Sequence, residues 1–234
     1  MFAVYKKELS QYFSSTIGYI FMAVFLALSG VLVWFTTFFS ASSSFSAYFF
    51  ILIFFFIILI PILTMRLLSD ERRTKTEQIL LTAPVSLSGI ISAKFFAALT
   101  LFEVTFLLSF INFIPVSFYG KINMAEIISN FVGLTCLACA LIAVGVFISA
   151  LTESQFIAAI GSIATILGLL LVGLFSSSIT NDVLRVIVKW FSILDRYVNF
   201  RYGIFDISAV LYYISITAIF LFLTVRVYEK RRWA

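Results

Sequence analysis

The sequence contains no histidine, only two cysteines and three prolines, and few charged side chains. Charged residues make up 12% of the 234 residues, and hydrophobic ones make up 62%. A soluble domain has about 25% charged and about 45–50% apolar residues. The absence of histidine excludes imidazole catalysis, and two cysteines cannot form a disulfide framework. The composition excludes a soluble enzyme, a nucleic-acid-binding domain and a disordered chain, and predicts that lipid surrounds most of this chain.

Long apolar runs dominate the sequence, and each is long enough to cross a bilayer as a helix of about 20 residues. The mean hydropathy is +1.13, and 29 phenylalanines are too many for a water-filled barrel with alternating polar positions. We therefore predict an all-α membrane protein, folded as a single transmembrane domain over residues 1–234. The six predicted spans are at about 17–39, 45–65, 94–116, 127–150, 156–176 and 207–227.

The first residues predict a short helix in the headgroup region of the bilayer rather than a signal peptide. Apolar side chains recur there at helical spacing, and polar side chains fill the other face. The apolar run that follows is too long for the core of a signal peptide. The apolar face consists of Phe2, Tyr5, Leu9, Tyr12 and Phe13.

Lysine and arginine are unevenly divided between the two sides of this topology. With the N-terminus inside, the inner segments hold eleven of the 16 basic residues and the outer segments hold five. Because basic residues favour the cytoplasmic side, we expect a plasma (inner) membrane protein with both termini in the cytoplasm. The inner residues are Lys6, Lys7, Arg66, Arg72, Arg73, Lys75, Lys94, Arg226, Lys230, Arg231 and Arg232.

The charged segment at about 66–93 does not span the membrane in this prediction. Thr74 and Glu77 have the spacing of a capping box, which starts a helix by satisfying backbone N–H groups from both sides. Leu80 and Leu81 give that helix an apolar surface, and Pro84 ends it. The segment is either an ordinary charged loop or a docking helix for a soluble partner.

A second non-spanning segment, at about 177–205, is predicted to be an amphipathic helix on the outer side. Thr180, Asn181 and Asp182 can cap its start. It either rests on the lipid surface or dips back into the membrane. Its predicted apolar positions are Leu184, Ile187, Val188, Phe191, Leu194 and Val198.

No motif for chemistry is present in the sequence. A phosphate-binding G-x-x-x-x-G-K-[ST] loop, a paired-carboxylate site and a nucleophile elbow are all missing. We therefore expect no enzyme, no catalytic residue, no cofactor and no metal site in this chain. Cys136 and Cys139 share a face of the fourth span, and two thiols can bind a soft metal ion. We interpret them instead as small packing residues.

Glu103 lies inside the third predicted span. An acid within the bilayer is costly, on the order of 2.5 kcal/mol or more, and by default indicates a functional site. Glu103 is either a proton or cation site or a structural acid that is neutral or hydrogen-bonded. We favour the structural interpretation, because no buried lysine or arginine is evident to pair with it.

Small residues recur four apart in the fifth span, which lets helices approach closely. The pairs are Ala158 with Ser162, Gly161 with Thr165, and Ala164 with Gly168. This spacing fits packing within the chain and packing against a second chain equally well.

The order of these parts resembles the ABC-2 type permeases, the membrane subunits of ATP-driven exporters. The most specific match is the segment from Glu71 to Pro84, which is similar to the family pattern E-[RK]-x-x-G-T-x-E-x-L-L-T-x-P. Lys75 replaces the common glycine, and Gln78 replaces the common second glutamate. We expect the helix to tolerate Lys75, because lysine is a better helix former than glycine. Residues that resemble the branch with gliding-motility-associated permeases are Lys7-Glu8-Leu9, Tyr12-Phe13-Ser14, Gly18-Tyr19 and Arg231-Arg232-Trp233.

The resemblance implies a permease that pairs with a second, identical or different, permease subunit above two separate ATPase subunits. ATP and magnesium would be bound by the ATPase, and no nucleic acid is implied. An ion-coupled carrier that uses Glu103, or a membrane accessory subunit that does not transport, are the alternatives. By this resemblance the ATPase-coupling residues are Glu71, Arg72, Thr74, Glu77, Gln78, Leu80, Leu81 and Pro84.

Overall fold

A computed structural model describes residues 2–39, 44–76, 86–118, 123–175 and 192–232. Within these ranges the chain is helical and contains no strand, so the predicted all-α class is confirmed. The α-helices in this part of the chain are α1 (Phe2–Ser14), α2 (Thr16–Val33), α3 (Ser46–Thr64), α4 (Ser69–Arg73), α5 (Leu87–Ser109), α6 (Ile114–Ser117), α7 (Met124–Leu151), α8 (Gln155–Phe175), α9 (Ile193–Arg201) and α10 (Ile207–Arg232).

Six helical stretches are long and apolar enough to cross a membrane, which confirms the multi-pass prediction. A π-helical turn, Trp34–Phe38, extends α2, and a 3₁₀ turn, Phe110–Phe113, joins α5 to α6. The predicted break between the fourth and fifth spans is also confirmed, at residues 152–154. The stretches are Thr16–Thr37, Ser46–Arg73, Leu87–Ser117, Met124–Leu151, Gln155–Gly173 and Ile207–Arg232.

The third span begins seven residues earlier than predicted. Ser86 caps it by accepting a hydrogen bond from the Gly89 N–H, and the helix starts at Leu87. The prediction placed the boundary at Lys94, because a lysine usually marks the edge of an apolar run. Lys94 lies inside the helix and is only 1% exposed. The expectation that no lysine or arginine is buried is therefore wrong.

Aromatic rings from α2, α3 and α5 form the centre of the bundle. Phe102 contacts Phe25 edge to face, with ring centroids 5.9 Å apart, and contacts Phe56 in the same way at 5.2 Å. Such contacts add about 0.5–1.5 kcal/mol each to the burial of the rings. Since lipid tails are as apolar as the side chains, close packing rather than water exclusion holds these helices together.

The N-terminal helix α1 and the last turns of α10 lie at the same end of the bundle. Lys94 contacts Glu8 of α1, Arg72 donates to the Leu151 carbonyl, and Arg231 of α10 donates to the Ala150 carbonyl. We call this the charged end, because the eleven basic residues that were predicted to lie inside belong to the parts of the chain that meet here. Which side of a membrane the charged end faces remains a prediction.

The opposite end is closed by α9, which packs into the bundle with one face. Its buried side chains are Ile193, Leu194, Tyr197 and Phe200. Tyr197 donates a hydrogen bond to the Asn130 side chain on α7. Gly133 makes room for the Phe200 ring, which lies where a Cβ at residue 133 would be. An amphipathic helix at this end is therefore present.

The predicted outer helix is wrong in the orientation of Val198, and most of its predicted first half lies outside the described residues. The helix starts at Ser192, whose hydroxyl accepts a hydrogen bond from the Asp195 N–H. This start places Tyr197 on the buried face and turns Val198, predicted to be apolar-facing, outward with 41% exposure. The predicted caps Thr180, Asn181 and Asp182 and the apolar positions up to Phe191 lie outside the described residues.

The corner between α1 and α2 depends on the missing side chain of Gly18. A Cβ at residue 18 would collide with the Tyr12 carbonyl oxygen. We expect Gly18→Ala to lower the free energy of unfolding by about 1–3 kcal/mol, the usual cost of overpacking. The measurement is a denaturant titration of the detergent-solubilised protein.

Gly168→Ala is the matched control for this prediction. A Cβ at residue 168 meets no atom within 4 Å, so this variant should unfold at the wild-type midpoint or above it. Equal destabilisation by both substitutions would contradict the role given to the Gly18 corner.

Candidate functional site

The candidate site is built around the buried ammonium of Lys94 on α5. Its Nζ donates three hydrogen bonds: to Glu8 Oε1 at 2.9 Å, to the Leu67 carbonyl at 2.9 Å and to Glu71 Oε1 at 2.7 Å. An ammonium has three N–H groups, so every donor is used. The acceptors come from α1, from the turn after α3 and from α4. One buried cation thus joins four parts of the chain, and we call Lys94, Glu8 and Glu71 the triad.

A serine of α7 satisfies the backbone where the helix breaks between α3 and α4. The Ser149 hydroxyl accepts hydrogen bonds from the Leu68 and Ser69 N–H groups at 3.2 and 3.1 Å. It also donates to the Met65 carbonyl at 3.2 Å. Buried backbone groups are costly when unpaired, so Ser149 allows the chain to turn here. The turn is thereby attached to α7.

The α4 helix is also attached to α8 and to the loop before it. Arg72 donates to the Leu151 carbonyl at 3.0 Å and to Glu153 Oε1 at 2.7 Å. Gln155 Nε2, at the start of α8, donates to Asp70 Oδ1 at 2.7 Å. Asp70 accepts from Arg73 on its own helix as well. These contacts and the triad connect α4 to α1, α5, α7 and α8.

Thr74 and Lys75 end α4 in a tight turn. The Thr74 hydroxyl donates to the Asp70 carbonyl at 2.9 Å, and its backbone has φ −85° and ψ −1°. An N-cap residue is extended, so Thr74 ends a helix instead of starting the predicted one. Lys75 has φ 57°, a left-handed conformation that costs a side-chain-bearing residue about 1–2 kcal/mol. The predicted start at Thr74 is therefore wrong, and the rest of the predicted helix, from Glu77 to Pro84, lies outside the described residues.

Tyr12 attaches α1 to the end of α3. Its hydroxyl donates to the Leu63 carbonyl at 2.9 Å. Burial, and the nearby Glu8 carboxylate to a lesser degree, raise the pKa of the Tyr12 hydroxyl well above its usual value. The hydroxyl stays protonated at neutral pH and remains a donor. The amphipathic prediction for α1 is accordingly only partly confirmed, because Tyr12 packs inward while Phe2 and Phe13 point outward.

Three of the predicted coupling residues, Glu71, Arg72 and Thr74, belong to this site. Glu71 and Arg72 make their observed contacts with other parts of the same chain, so a contact with an ATPase through either one stays a prediction. The other five lie outside the described residues: Glu77, Gln78, Leu80, Leu81 and Pro84.

Glu103 lies on α5 at a different level, nine residues beyond Lys94. That spacing corresponds to about 13 Å along a helix. Its Oε2 accepts a hydrogen bond of 3.3 Å from the Thr135 hydroxyl on α7, and its buried Oε1 has no hydrogen-bond partner among the described residues. Cys136 and Cys139 are half-buried free thiols, and the described ranges hold no group of three or more Cys, Asp or Glu that could bind a metal ion.

Sequence reasoning missed Glu8, Lys94, Asp70 and Ser149. Two signals were available: Glu8 interrupts the apolar face of α1, and Lys94 is followed without a break by apolar residues. Neither signal shows that the two side chains meet, because 86 residues separate them in the sequence.

Comparison with known proteins identifies no relative of this chain. No protein-family model matches the chain, and a search of curated proteins finds no match either.

Removing the Lys94 ammonium would leave two buried carboxylates without their cation. Breaking a buried ion pair from one side costs about 3–5 kcal/mol, so we expect Lys94→Met to lower the free energy of unfolding by that amount. The measurement is a denaturant titration in detergent micelles. Lys6→Met is the control, because Lys6 is exposed on α1 and its loss should leave the midpoint unchanged. Equal midpoints for the two variants would contradict the triad.

Proposed function

We propose that this chain is the permease subunit of an ATP-driven, ABC-2 type exporter. A separate ATPase subunit would bind ATP and magnesium, and its movement would reach the membrane helices through the segment that follows Glu71. The observation that carries this proposal is the attachment of α4. Its side chains contact α5, the end of α7, the loop before α8 and α8 itself, so a displacement of α4 acts on several helices at once.

The turn at Lys75 supports the same proposal. The family pattern has a glycine at this position, and Lys75 adopts the left-handed conformation that favours glycine. A glycine would adopt this conformation without the cost that a side chain adds, so a preference for glycine at this position is consistent with the observed backbone.

The proposal includes a second permease subunit in the membrane. On α8, Ala158 and Ser162 are buried in the bundle, whereas Ala164 and Gly168 are exposed. The small-residue spacing is thus divided between an inner and an outer face of one helix. An outward pair of small residues supports close approach by a second chain.

The proposal also requires the charged end to face the cytoplasm, in the plasma (inner) membrane. We expect a membrane-impermeant thiol reagent to label a cysteine at Asn181 in intact cells, but not a cysteine at Thr74, when Cys136 and Cys139 are replaced by alanine. The physical reason is the excess of basic residues at the charged end. After permeabilisation the Thr74 cysteine should react, which shows that it is accessible. The opposite labelling pattern would overturn both the orientation and the docking role.

Substitution of the predicted docking residues Leu80 and Leu81 tests the proposed permease function. Buried apolar anchors usually contribute more to an interface than charges at its rim. We expect Leu80→Ala combined with Leu81→Ala to reduce co-purification of the ATPase and to abolish the ATP hydrolysis of the reconstituted complex, while membrane insertion is unchanged. Arg73→Ala is the control and should have a mild effect, because the Arg73 side chain is 63% exposed.

The double variant also gives the result that would end the proposal. Normal co-purification together with normal hydrolysis in proteoliposomes would show that the segment is only a loop.

One observation favours a second candidate function, an ion-coupled carrier. The buried Oε1 of Glu103 has no partner among the described residues, and an intramembrane acid is a typical proton or cation site. If Glu103 is structural, Glu103→Gln should keep most of the activity, because the amide keeps the size and the hydrogen bond from Thr135. Transport measured in proteoliposomes with and without a proton gradient checks this.

Glu126→Gln is the control for the carrier hypothesis. Glu126 is also a glutamate of the bundle, but it contacts Ser44 at the opposite end. Loss of transport in Glu103→Gln alone, with the protein still folded and assembled, would favour the carrier over the ATP-driven permease.

A further inference from the structure

The two carboxylates of the triad are held unequally. Glu8 is almost fully enclosed, with 7% of its side chain exposed, and Glu71 is exposed twice as much, at 14%. The Oε2 atom of Glu71 is buried and has no hydrogen-bond partner among the described residues. Each carboxylate contacts Lys94 through one oxygen only. Glu71 is thus the less enclosed member of the triad.

Lys94 keeps most of its stabilisation if Glu71 leaves. Its Nζ would still donate to Glu8 Oε1 and to the Leu67 carbonyl, both at 2.9 Å. One carboxylate is sufficient to neutralise one ammonium, so a second carboxylate is not needed for charge balance. The contact between Glu71 and Lys94 can therefore open without leaving a buried lysine unpaired, which is the costly situation.

The N-terminal helix α1, which contacts Lys94 through Glu8, is attached to the rest of the bundle near both of its ends. The Tyr5 hydroxyl and the Thr100 hydroxyl of α5 are 2.9 Å apart, and the Tyr12 hydroxyl donates to the Leu63 carbonyl. Phe2 and Lys6 of α1 are exposed, where headgroups would surround them. A displacement of α4 that reaches Lys94 would consequently move α1, the helix that is predicted to lie at the membrane surface.

We propose that Lys94 is a positioning residue and that its contact with Glu71 is a releasable link between α4 and the N-terminal helix α1. When the segment after α4 is displaced, the intact link transmits the displacement to α1 and α5. When the link is open, α4 moves without α1 and α5. The inference rests on the proposed function, because it requires an ATPase to displace the segment. It adds α1 to the moving part of the protein.

The decisive variant is Glu71→Ala, which removes the link but leaves Lys94 its other two acceptors. We expect the ATPase to co-purify with this variant at the wild-type level, because the predicted apolar anchors Leu80 and Leu81 are unchanged and the carboxylate of Glu71 is engaged by Lys94 of its own chain. ATP hydrolysis by the reconstituted complex should fall about tenfold or more. Glu71→Gln should restore most of the hydrolysis, because an amide oxygen can still accept a hydrogen bond from Lys94.

A distance measurement separates a link from a merely stabilising contact. Spin labels are placed at Lys6 on α1 and at Arg226 on α10. Double electron–electron resonance measures the distance between them, which reports the position of α1 relative to α10. In the wild-type complex we expect the distance distribution to shift when the ATPase is trapped with ATP and vanadate. The shift should be lost in Glu71→Ala and present in Glu71→Gln. Glu229→Gln, which removes an exposed carboxylate at the same end, is the control and should behave as wild type.

The results distinguish failure of the proposed link from failure of the permease proposal. A normal distance shift and normal hydrolysis in Glu71→Ala, with the ATPase bound, would overturn the link and leave the permease proposal standing. The absence of any ATPase on the wild-type permease would overturn both. Loss of hydrolysis in Glu71→Ala and Glu71→Gln alike, with the distance shift intact in both, would also overturn the link.

Discussion

The need to neutralise one buried ammonium controls the charged end of this protein. A charge removed from water costs several kcal/mol unless it is paired and hydrogen-bonded. Lys94 is paired with Glu8 and Glu71 and also donates to the Leu67 carbonyl. Because these acceptors belong to different elements, their hydrogen bonds to the lysine bring α1, α4 and α5 together. The bond to Glu8 helps to fix the position of the N-terminal helix on the bundle.

The same constraint acts on uncharged polar groups elsewhere in the bundle. Ser149 accepts from two backbone N–H groups where the chain turns between α3 and α4. At the opposite end, Tyr197 donates to Asn130, so that α9 can be buried without leaving the amide oxygen unpaired. In both places a side chain from α7 supplies the partner. Polar side chains of α7 thereby allow irregular backbone and a short helix to pack against it.

These attachments make α4 suitable for transmitting movement. A short helix with no core of its own would move independently if only its ends were held. Here Glu71, Arg72 and Asp70 contact three different parts of the bundle. The proposed permease function uses this arrangement, since a partner that displaces the neighbouring segment acts on helices that cross the membrane. The Glu103 site lies too far along α5 to take part directly.

The sequence by itself determined the fold class, the number of spans and the ends of most of them. Apolar length is a local property, and a lipid environment imposes it on every crossing segment. It also indicated that both termini belong to the same end, because basic residues collect in the segments that meet there. The pattern of the segment around Glu71 and Arg72 predicted a coupling role, which stays a prediction.

The tertiary structure alone decided how the charged groups are used. Lys94 was predicted to mark the edge of a span, because its neutralising partners lie 23 and 86 residues away and no local pattern reveals them. Thr74 was predicted to start a helix, whereas the turn at Lys75 makes it the end of one. Val198 was predicted to face the bundle, but the helix start at Ser192 turns it outward. Each of these errors has one physical reason: pairing and helix phase depend on contacts between distant parts of the chain.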